Sequence, residues 1–364
     1  IYQIISAYFE DDCSDELTLD PVFNAILEKN GLASQPTLSR FFNRMGEDTL
    51  MQFDDIDKSL RDIIYSIKRP EHMLLDLDST LFDTYGKQEG EGFNFHYQAH
   101  GYHPLLCYDG LTGDLLKAEL RKGSVYTSNN VVAFLEPVLQ WYRTKFPDIQ
   151  LILRGDSGFA TPELYELLDD FDVYYVIRLK LNAKLSACSR AADDEFYANY
   201  GTDYSKSHSL YHDFNYQAGS WDKSRRVVCR IERHADELCP RHTFIVTNLT
   251  AHPQEVIGVY HKRGQMENFI KEAKLDFGMD TLSHSSFLTN AVKLLIRGLA
   301  YNLINFMKRL VLPKIYRKCR LLTLRVILIK VAGRLVRSGR STWLKLSSSF
   351  PYLELFHNLL VKLE

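Results

Sequence analysis

The stretch LLDLDSTLFDTYG, residues 74–86, decides how the rest of the chain is interpreted. Its first half is mostly apolar, and carboxylates follow at Asp76, Asp78 and Asp83. Because successive side chains of a strand point to opposite faces, Asp76 and Asp78 would share one face. The pattern predicts a buried strand with acidic side chains near its end. Carboxylates in such a position are typical of a catalytic or metal-binding site.

The segments that follow this strand predict a sheet with helices packed against it. Residues 103–123, HPLLCYDG and then DLLKAELRKG, predict a hairpin that turns at glycines. A helix over 130–146, a buried strand that ends at Asp156, a helix over 161–171 and a strand over 173–180 come next. The order of three strands, helix, strand, helix, strand predicts an α/β fold with a central sheet.

The regions around this core have different patterns. Residues 1–70 are polar and helical in pattern. Residues 181–242 are polar and rich in tyrosine before the alternating run RRVVCRIER, which predicts an inserted, mostly β subdomain. Residues 253–277 predict one long helix, and two more helices are expected near 286–311 and 320–337.

Length and composition are those of a globular protein. A chain of 364 residues predicts two or three domains, and 45% hydrophobic and 25% charged residues are ordinary values. No apolar run approaches eighteen residues and no signal peptide is visible, so we expect no membrane association. The six cysteines have no CxxC pair, which favours reduced thiols in a cytosolic protein. Because the chain begins with Ile1 and not Met, we expect that an N-terminal piece is missing.

The net charge of −2 conceals a gradient along the chain. Residues 1–62 contain thirteen acids and five bases, whereas residues 281–353 contain fourteen Lys and Arg and no Asp or Glu. Such segregation gives one end a positive field that phosphate would feel. A solvated pair of basic helices explains the gradient equally well.

The predicted helix from Pro253 contains five polar residues on one face. They stand at offsets 0, 3, 7, 11 and 14: Tyr260, Arg263, Glu267, Lys271 and Lys274. At about 100° per residue these positions fall on the same side of a helix. Ion pairing at i,i+4 would explain Arg263, Glu267 and Lys271 alone. A site that binds an anion would use the whole set.

The spacing Tyr-x2-Arg-x3-Glu-x6-Lys, from Tyr260 to Lys274, resembles the Y-R-E-K signature of the DDE transposases of bacterial insertion sequences. Two strand-end aspartates earlier in the chain add to this likeness, which covers roughly residues 70–310. The resemblance implies an RNase H-like fold. It also implies that the catalytic and metal-binding carboxylates are Asp78, Asp156 and Glu267. Asp76 is the alternative to Asp78 as the first of these three carboxylates, although Asp78 lies nearer the strand end.

The resemblance implies a reaction, a cofactor and partners. The enzyme would cleave DNA at transposon ends and transfer the freed strand, as in cut-and-paste transposition, using two Mg²⁺ ions for which Mn²⁺ can substitute. Its partners would be double-stranded DNA, namely terminal inverted repeats and target DNA, and a second copy in a homodimer. It would be a cytoplasmic, nucleoid-associated bacterial protein. The residues expected to hold DNA phosphates are Tyr260, Arg263, Lys271 and Lys274.

In the inserted region, Trp221 is followed closely by Lys223, Arg225 and Arg226. By the same resemblance, an aromatic residue of the insertion would stack on a base flipped out of the DNA end. We therefore list Trp221, Arg225 and Arg226 as candidate DNA contacts. A tryptophan in the core of the subdomain is an equally good interpretation.

The fold expected from these patterns is an α/β, RNase H-like core with a mixed central sheet and flanking helices, interrupted by a mostly β insertion, with helical N-terminal and C-terminal regions. The expected regions are a helical DNA-binding or dimerisation part (1–69), the first part of the core (70–180), the insertion (181–245), the second part of the core (246–311) and a basic helical end (312–364).

Two other functions remain open. The run LLDLDSTL resembles the DxDxT motif of the haloacid dehalogenase superfamily, in which Asp76 would be the nucleophile of a phosphatase and Asp78 its acid and base. That assignment leaves the polar helix face unexplained. The chain could also be a catalytically silent DNA-binding protein derived from a transposase, although its three acidic positions are intact.

Overall fold

The computed structural model describes residues 1–339 and 341–363. The N-terminal region is helical, as predicted, and consists of α1 (Tyr2–Ile5), α2 (Cys13–Leu17), α3 (Pro21–Ile26), α4 (Gln35–Phe42) and α5 (Glu47–Ile67). α3 begins with Pro21 after Asp20, whose carboxylate accepts hydrogen bonds from two backbone N–H groups of the first turn. The inner face of α5 packs Ile64 and Tyr65 into the main core.

The core elements appear in the predicted order. They are β1 (His72–Ser79), the short strands β2 (Phe82–Asp83), β3 (Gly92–Asn94) and β4 (Ala99–Tyr102), the hairpin β5 (Leu105–Asp109) and β6 (Leu115–Glu119), then α6 (Val131–Lys145), β7 (Gln150–Gly155), α7 (Pro162–Asp170) and β8 (Tyr174–Leu179). Strands β2 to β4 form a small sheet of their own, ordered β2-β4-β3. The other strands join the central sheet.

The central sheet is mixed, and β1 lies inside it. β1 pairs antiparallel with β5 on one side and parallel with β7 on the other, which gives the order β6-β5-β1-β7-β8. Met73, Leu75 and Leu77 on one face of β1 are fully buried in the core that α6 and α7 cover. The other face carries Asp76 and Asp78. The topology confirms the predicted RNase H-like fold with a mixed sheet and flanking helices.

The insertion is mostly β, as expected, but it opens with helices that were not predicted. It begins with two helices, α8 (Ala183–Cys188) and α9 (Arg190–Tyr200), and continues with the strands β9 (His208–Tyr216), β10 (Arg225–Arg233) and β11 (Arg241–Thr247). β11 pairs antiparallel with β8, so the central sheet continues as β8-β11-β10-β9. Without β11 this edge of β8 would be unpaired. The pairing satisfies the backbone N–H and C=O groups along that edge, which is why the insertion extends the central sheet.

The single long helix predicted from Pro253 is two helices, α10 (Pro253–His261) and α11 (Gly264–Phe277). Between them the N–H of Arg263 donates to the carbonyl of Tyr260, and the N–H of Met266 donates to that of Arg263. These i to i−3 bonds tighten the backbone next to Gly264, a residue with low helix propensity. The next helix, α12 (Phe287–Leu310), matches its prediction.

The helix predicted over 320–337 is much shorter. Helix α13 (Leu321–Leu324) passes into a π-helical turn (Arg325–Ile329), and the hairpin of β12 (Gly333–Ser338) and β13 (Ser341–Leu346) follows before α14 (Leu353–Leu363). Two glycines explain the change, since Gly333 opens β12 and Gly339 adopts φ +61° at the turn. Within residues 1–339 and 341–363, no helix combines the length and apolar character needed to cross a bilayer.

Candidate active site

The ends of β1 and β7 bring two carboxylates to the same edge of the sheet. The parallel ladder ends where Asp76 is level with Arg154; Asp78 lies two residues further along β1, and Asp156 directly follows the last residue of β7. The charge of Asp156 acts on Asp78, so the two carboxylates are neighbours. Both side chains are half-buried. The carboxylate of Asp156 accepts a hydrogen bond from the N–H of Gly158 at 2.8 Å, which orients it in the turn after β7.

The pKa of Asp78 is raised above its ordinary value. Burial is the main cause, and the negative charge of Asp156 adds to it, whereas the nearby Arg263 guanidinium acts in the opposite direction. Burial and the neighbouring carboxylate thus outweigh the nearby guanidinium and disfavour the negative charge on Asp78. A bound cation would lower the free energy of this arrangement.

Asp76 has a different environment although it lies only two residues earlier. Its side chain is fully buried and forms two hydrogen bonds of 2.6 Å with Nε and Nη2 of Arg154. Nη1 of Arg154 donates to the carbonyl of Val259 at 2.7 Å. Gly110 packs so closely that a Cβ there would lie 2.4 Å from Oδ2 of Asp76. A carboxylate enclosed in this way cannot reach a phosphate, which argues against a phosphatase nucleophile at Asp76.

Two basic side chains of the Y-R-E-K motif bind the end of β1. Nη2 of Arg263 donates to the carbonyl of Leu77 at 2.9 Å and lies 3.1 Å from Oδ1 of Asp78. Nζ of Lys274 donates to Oγ1 of Thr80 at 2.9 Å and to the carbonyl of Leu81 at 2.7 Å. Burial acts to lower the pKa of Arg263, but the negative charges around it, mainly Asp78 and Asp156, together act more strongly to raise it. The net shift of this pKa is upward. Burial lowers the pKa of Lys274.

Glu267 lies on the helix that carries these two cations. It is exposed in the first turn of α11, roughly 40° from Arg263 and 20° from Lys274 around the helix at about 100° per residue. Its face is therefore the one that approaches β1. In the described ranges, no three Asp, Glu, His or Cys side chains are close enough together to hold a metal ion. The structure brings Asp78 and Asp156 together, whereas Glu267 is exposed on α11 and forms no metal-ligand group with them in the described residues.

The remaining motif residues differ in their position. Tyr260 is half-buried, and burial raises the pKa of its phenol, while Arg263 and Arg178 oppose the shift. The charge of Asp156 also acts on this phenol, so Tyr260 borders the site. Lys271 is exposed on the outer side of α11. It is free to reach a ligand that approaches the site from solvent.

The structure places Trp221 in the core. Only 8% of it is exposed, and its ring packs edge-on against the rings of Tyr165 and Tyr216, each 5.3 Å away. A base cannot stack on a ring that is covered in this way. Of the two interpretations of Trp221, this placement favours the core residue over the DNA contact.

The basic neighbours of Trp221 are engaged within the protein. Arg225 is buried and donates to Asp169 at 2.7 Å and to the hydroxyl of Tyr175 at 2.9 Å. Arg226 donates to Asp213 at 2.6 Å. Arg225 and Arg226 therefore do not form the DNA-contacting group that the sequence suggested, because opposite charges and carbonyl groups of the fold already bind their guanidinium groups.

Sequence reasoning missed Tyr97, which borders the two aspartates. Its hydroxyl donates to the carbonyl of Ser79 at 3.1 Å. Burial raises the pKa of its phenol to about 12, and the charges of Asp78 and Asp156 contribute. The turn that holds Tyr97 is set by Asn94, whose side-chain oxygen accepts from the N–H of Tyr97. An Asn before a run of aromatic residues was the available signal, since Asn commonly forms such turns.

Comparison with known proteins agrees with this arrangement. The chain belongs to the family described as transposase DDE domain group 1, whose model matches residues 1–364. The protein is accordingly a DNA-cleaving and strand-transferring enzyme, and DNA is its partner. Enzymes of this family generally use a divalent metal. No curated protein matches the chain.

Solved transposase structures are similar to the chain at low identity. A piggyBac transposase synaptic complex with hairpin DNA is 12% identical, with a TM-score of 0.40 over 89% of this chain and 76% of that one. The Mos1 transposase catalytic domain with raltegravir and Mg is 14% identical, with a TM-score of 0.22 over 42% and 76%. A Mos1 mariner paired-end complex with Mn is also 14% identical, with a TM-score of 0.21 over 52% and 72%.

Proposed function

We propose that the protein cuts DNA at the ends of a mobile element and joins the freed 3′ end to target DNA, using Asp78, Asp156 and Glu267. The observation that supports this most is that Asp78 near the end of β1 and Asp156 just after β7, two parallel neighbouring strands, are close enough for their charges to interact. Cleavage by water and attack by a 3′-OH are the same substitution at phosphorus. One site can therefore serve both steps.

The three carboxylates would hold two Mg²⁺ ions, for which Mn²⁺ can substitute. The raised pKa of Asp78 supports this assignment, because burial and Asp156 both disfavour its charge until a cation balances it. Oxygen ligands are those that Mg²⁺ prefers. When bound, such ions activate the attacking oxygen and stabilise charge on the leaving oxygen. Glu267, which is exposed on α11, would have to move toward the two aspartates to complete the ligand set.

The basic and phenolic groups around the carboxylates would position the DNA. Arg263 orients Asp78 through the contact at 3.1 Å and fixes α11 to β1 through the carbonyl of Leu77. Lys274 adds a second hydrogen bond between α11 and the end of β1, to the hydroxyl of Thr80. Tyr260 and the exposed Lys271 would contact phosphates on the solvent side. A guanidinium beside the reacting phosphate also stabilises the charge that develops there.

The substrate would be a pair of terminal inverted repeats together with target DNA. Cleavage of two ends in one complex requires two sites, so we propose that the protein acts as a homodimer on DNA. Its place of action would be the bacterial nucleoid. The division into N-terminal, core, insertion and C-terminal regions at 1–69, 70–180, 181–245, 246–311 and 312–364 remains part of this proposal.

The decisive experiment compares three variants with two matched controls. Asp78→Asn, Asp156→Asn and Glu267→Gln should each reduce cleavage of a labelled transposon-end duplex by at least about 10³-fold, because each removes a charge that would bind metal. The controls Asp194→Asn and Glu195→Gln alter acids on α9 and should cut normally. Mg²⁺ should raise the melting temperature of the controls and not that of Asp78→Asn.

Normal Mg²⁺-dependent cleavage by any of the three variants would remove that residue from the site. If the unmodified protein binds DNA and never cuts it, the catalytically silent alternative is correct. A phosphatase would instead release phosphate from a small phosphomonoester, and we expect no such turnover.

A further inference from the structure

The positively charged C-terminal part of the chain has no role in the site described above. Between Thr281 and Leu353 all fourteen charged residues are Lys or Arg. The last part of this segment folds as an isolated two-stranded hairpin, β12 and β13. We call residues 333–339 and 341–346 the basic ribbon.

The two faces of the basic ribbon have different chemistry. Arg334 is paired with Lys345 across the strands, and Val336 is paired with Trp343, so these four side chains share one face. The opposite face carries Gly333, Leu335, Leu344 and Leu346, and nearer the turn the pair Arg337 and Thr342. This assignment has direct support, because a Cβ on Gly333 would lie 3.2 Å from side-chain atoms of both Leu344 and Leu346.

The leucine face is the inner one. Leu335 and Leu346 are half-buried, and β12 contacts α3 of the N-terminal region. On the other face Arg334 and Lys345 are exposed, and Trp343 is 60% exposed. The two cations and the indole of this face are therefore open to solvent, whereas Val336 beside them is half-buried.

Two physical costs on the charged face point to an anionic partner. Like charges directly opposite each other in a hairpin are destabilising, and Arg334 opposes Lys345. A two-stranded hairpin is also only marginally stable unless its surface is covered. A phosphate between the two cations would remove the repulsion, and a sugar packed on Trp343 would cover apolar surface.

We propose that the basic ribbon is a second DNA-binding surface, separate from the catalytic carboxylates, and that it holds duplex DNA through Arg334 and Lys345. A two-stranded ribbon fits the major groove, which is about 12 Å wide. DNA is the anion because the chain belongs to a DNA transposase family. The ribbon would hold DNA whether or not the roles assigned to Asp78, Asp156 and Glu267 are correct.

The test measures how DNA affinity depends on salt. The full-length Asp78→Asn protein, which leaves the probe uncut, is titrated with a labelled duplex at several KCl concentrations. Adding Arg334→Ala and Lys345→Ala should reduce the slope of log K against log salt by about 1.8, since each lost phosphate contact contributes about 0.9. The loss should be similar for duplexes of any sequence.

Two control pairs make the result specific. Arg190→Ala with Lys206→Ala removes one Arg and one Lys that are exposed elsewhere, and should leave the slope unchanged. Arg334→Lys with Lys345→Arg keeps both charges and should keep the slope. The ribbon proposal fails if the alanine pair binds with the original slope, if both alanine pairs lose it equally, or if the charge-keeping pair loses it too. It fails equally if light scattering shows only a changed oligomeric state, which would make the occupant a second copy of the chain.

Discussion

Two regions of the central sheet carry several charged side chains each, and the two regions differ in how those charges are paired. At the ends of β1 and β7, Asp78 and Asp156 face each other and share the nearby Arg263. In the insertion, Arg225 and Arg226 each contact an aspartate within 2.7 Å. The difference teaches that an arginine with an aspartate of its own is structural, whereas two carboxylates that share one guanidinium mark a place for a ligand. The sequence motifs alone did not separate these cases.

The largest expected effect separates the two aspartates of β1. Asp76→Ala should lower the free energy of unfolding by about 3–5 kcal/mol, because it leaves Arg154 charged and buried without its partner. Asp78→Ala should lower it much less, since burial and Asp156 already disfavour the charge that it removes. Urea unfolding of both variants measures the difference. Equal losses would contradict the contrast between a structural and a catalytic carboxylate.

The next effect concerns Trp221. Trp221→Ala should lower the free energy of unfolding by about 3 kcal/mol, the cost of removing a large aromatic from a packed core. Tyr197→Ala, which alters an aromatic that is 48% exposed on α9, is the matched control and should lose little. A Trp221→Ala protein of normal stability that fails to unstack a 2-aminopurine near the DNA end would restore the stacking role.

A third prediction tests a buried acid whose partners are uncharged. Asp109 accepts hydrogen bonds from Thr112 and from the N–H of Leu111, and burial raises its pKa to about 6 from 3.8. The folded state therefore keeps a proton that the unfolded state has already released. This contribution to stability is complete below pH 3.8 and is lost as pH rises through 6, to a total of about 3 kcal/mol.

Asp109→Asn cannot titrate, so its free energy of unfolding should fall less than that of the original protein between pH 3.5 and 7.5. Urea unfolding at intervals across this range gives the two curves. Parallel curves would mean that Asp109 has the same proton affinity in the folded and unfolded states.

The smallest effect is expected at Arg226. Its side chain is 21% exposed and that of its partner Asp213 is 42% exposed, so Arg226→Ala should cost about 0.2–1 kcal/mol. Arg225→Ala removes a guanidinium that is only 3% exposed and should cost more. If both variants also left DNA affinity unchanged, the structural interpretation of this pair would be strengthened. A clear loss of affinity in Arg226→Ala alone would return it to the DNA interface.

Local patterns in the sequence determined most of the core and the motif that led to the site. Alternation and apolar runs predicted β1, β7 and β8, and helical periodicity predicted α6, α7 and α12, because one buried face fixes the period of each element. The spacing from Tyr260 to Lys274 named the family. Alternation also placed Asp76 and Asp78 on one face, but it contains no information about what each side chain meets there.

Tertiary structure decided what local pattern could not. Asp76 is structural because Arg154, 78 residues away, meets it when β1 pairs with β7. Trp221 is in the core because Tyr165 and Tyr216 close around it from two other elements. The basic ribbon forms in a C-terminal region that was expected to be helical, where Gly333 opens β12, Gly339 adopts φ +61° at the turn and β12 contacts α3 of the N-terminal region. In each case the deciding partner is distant in sequence, and only the folded chain brings it within contact range.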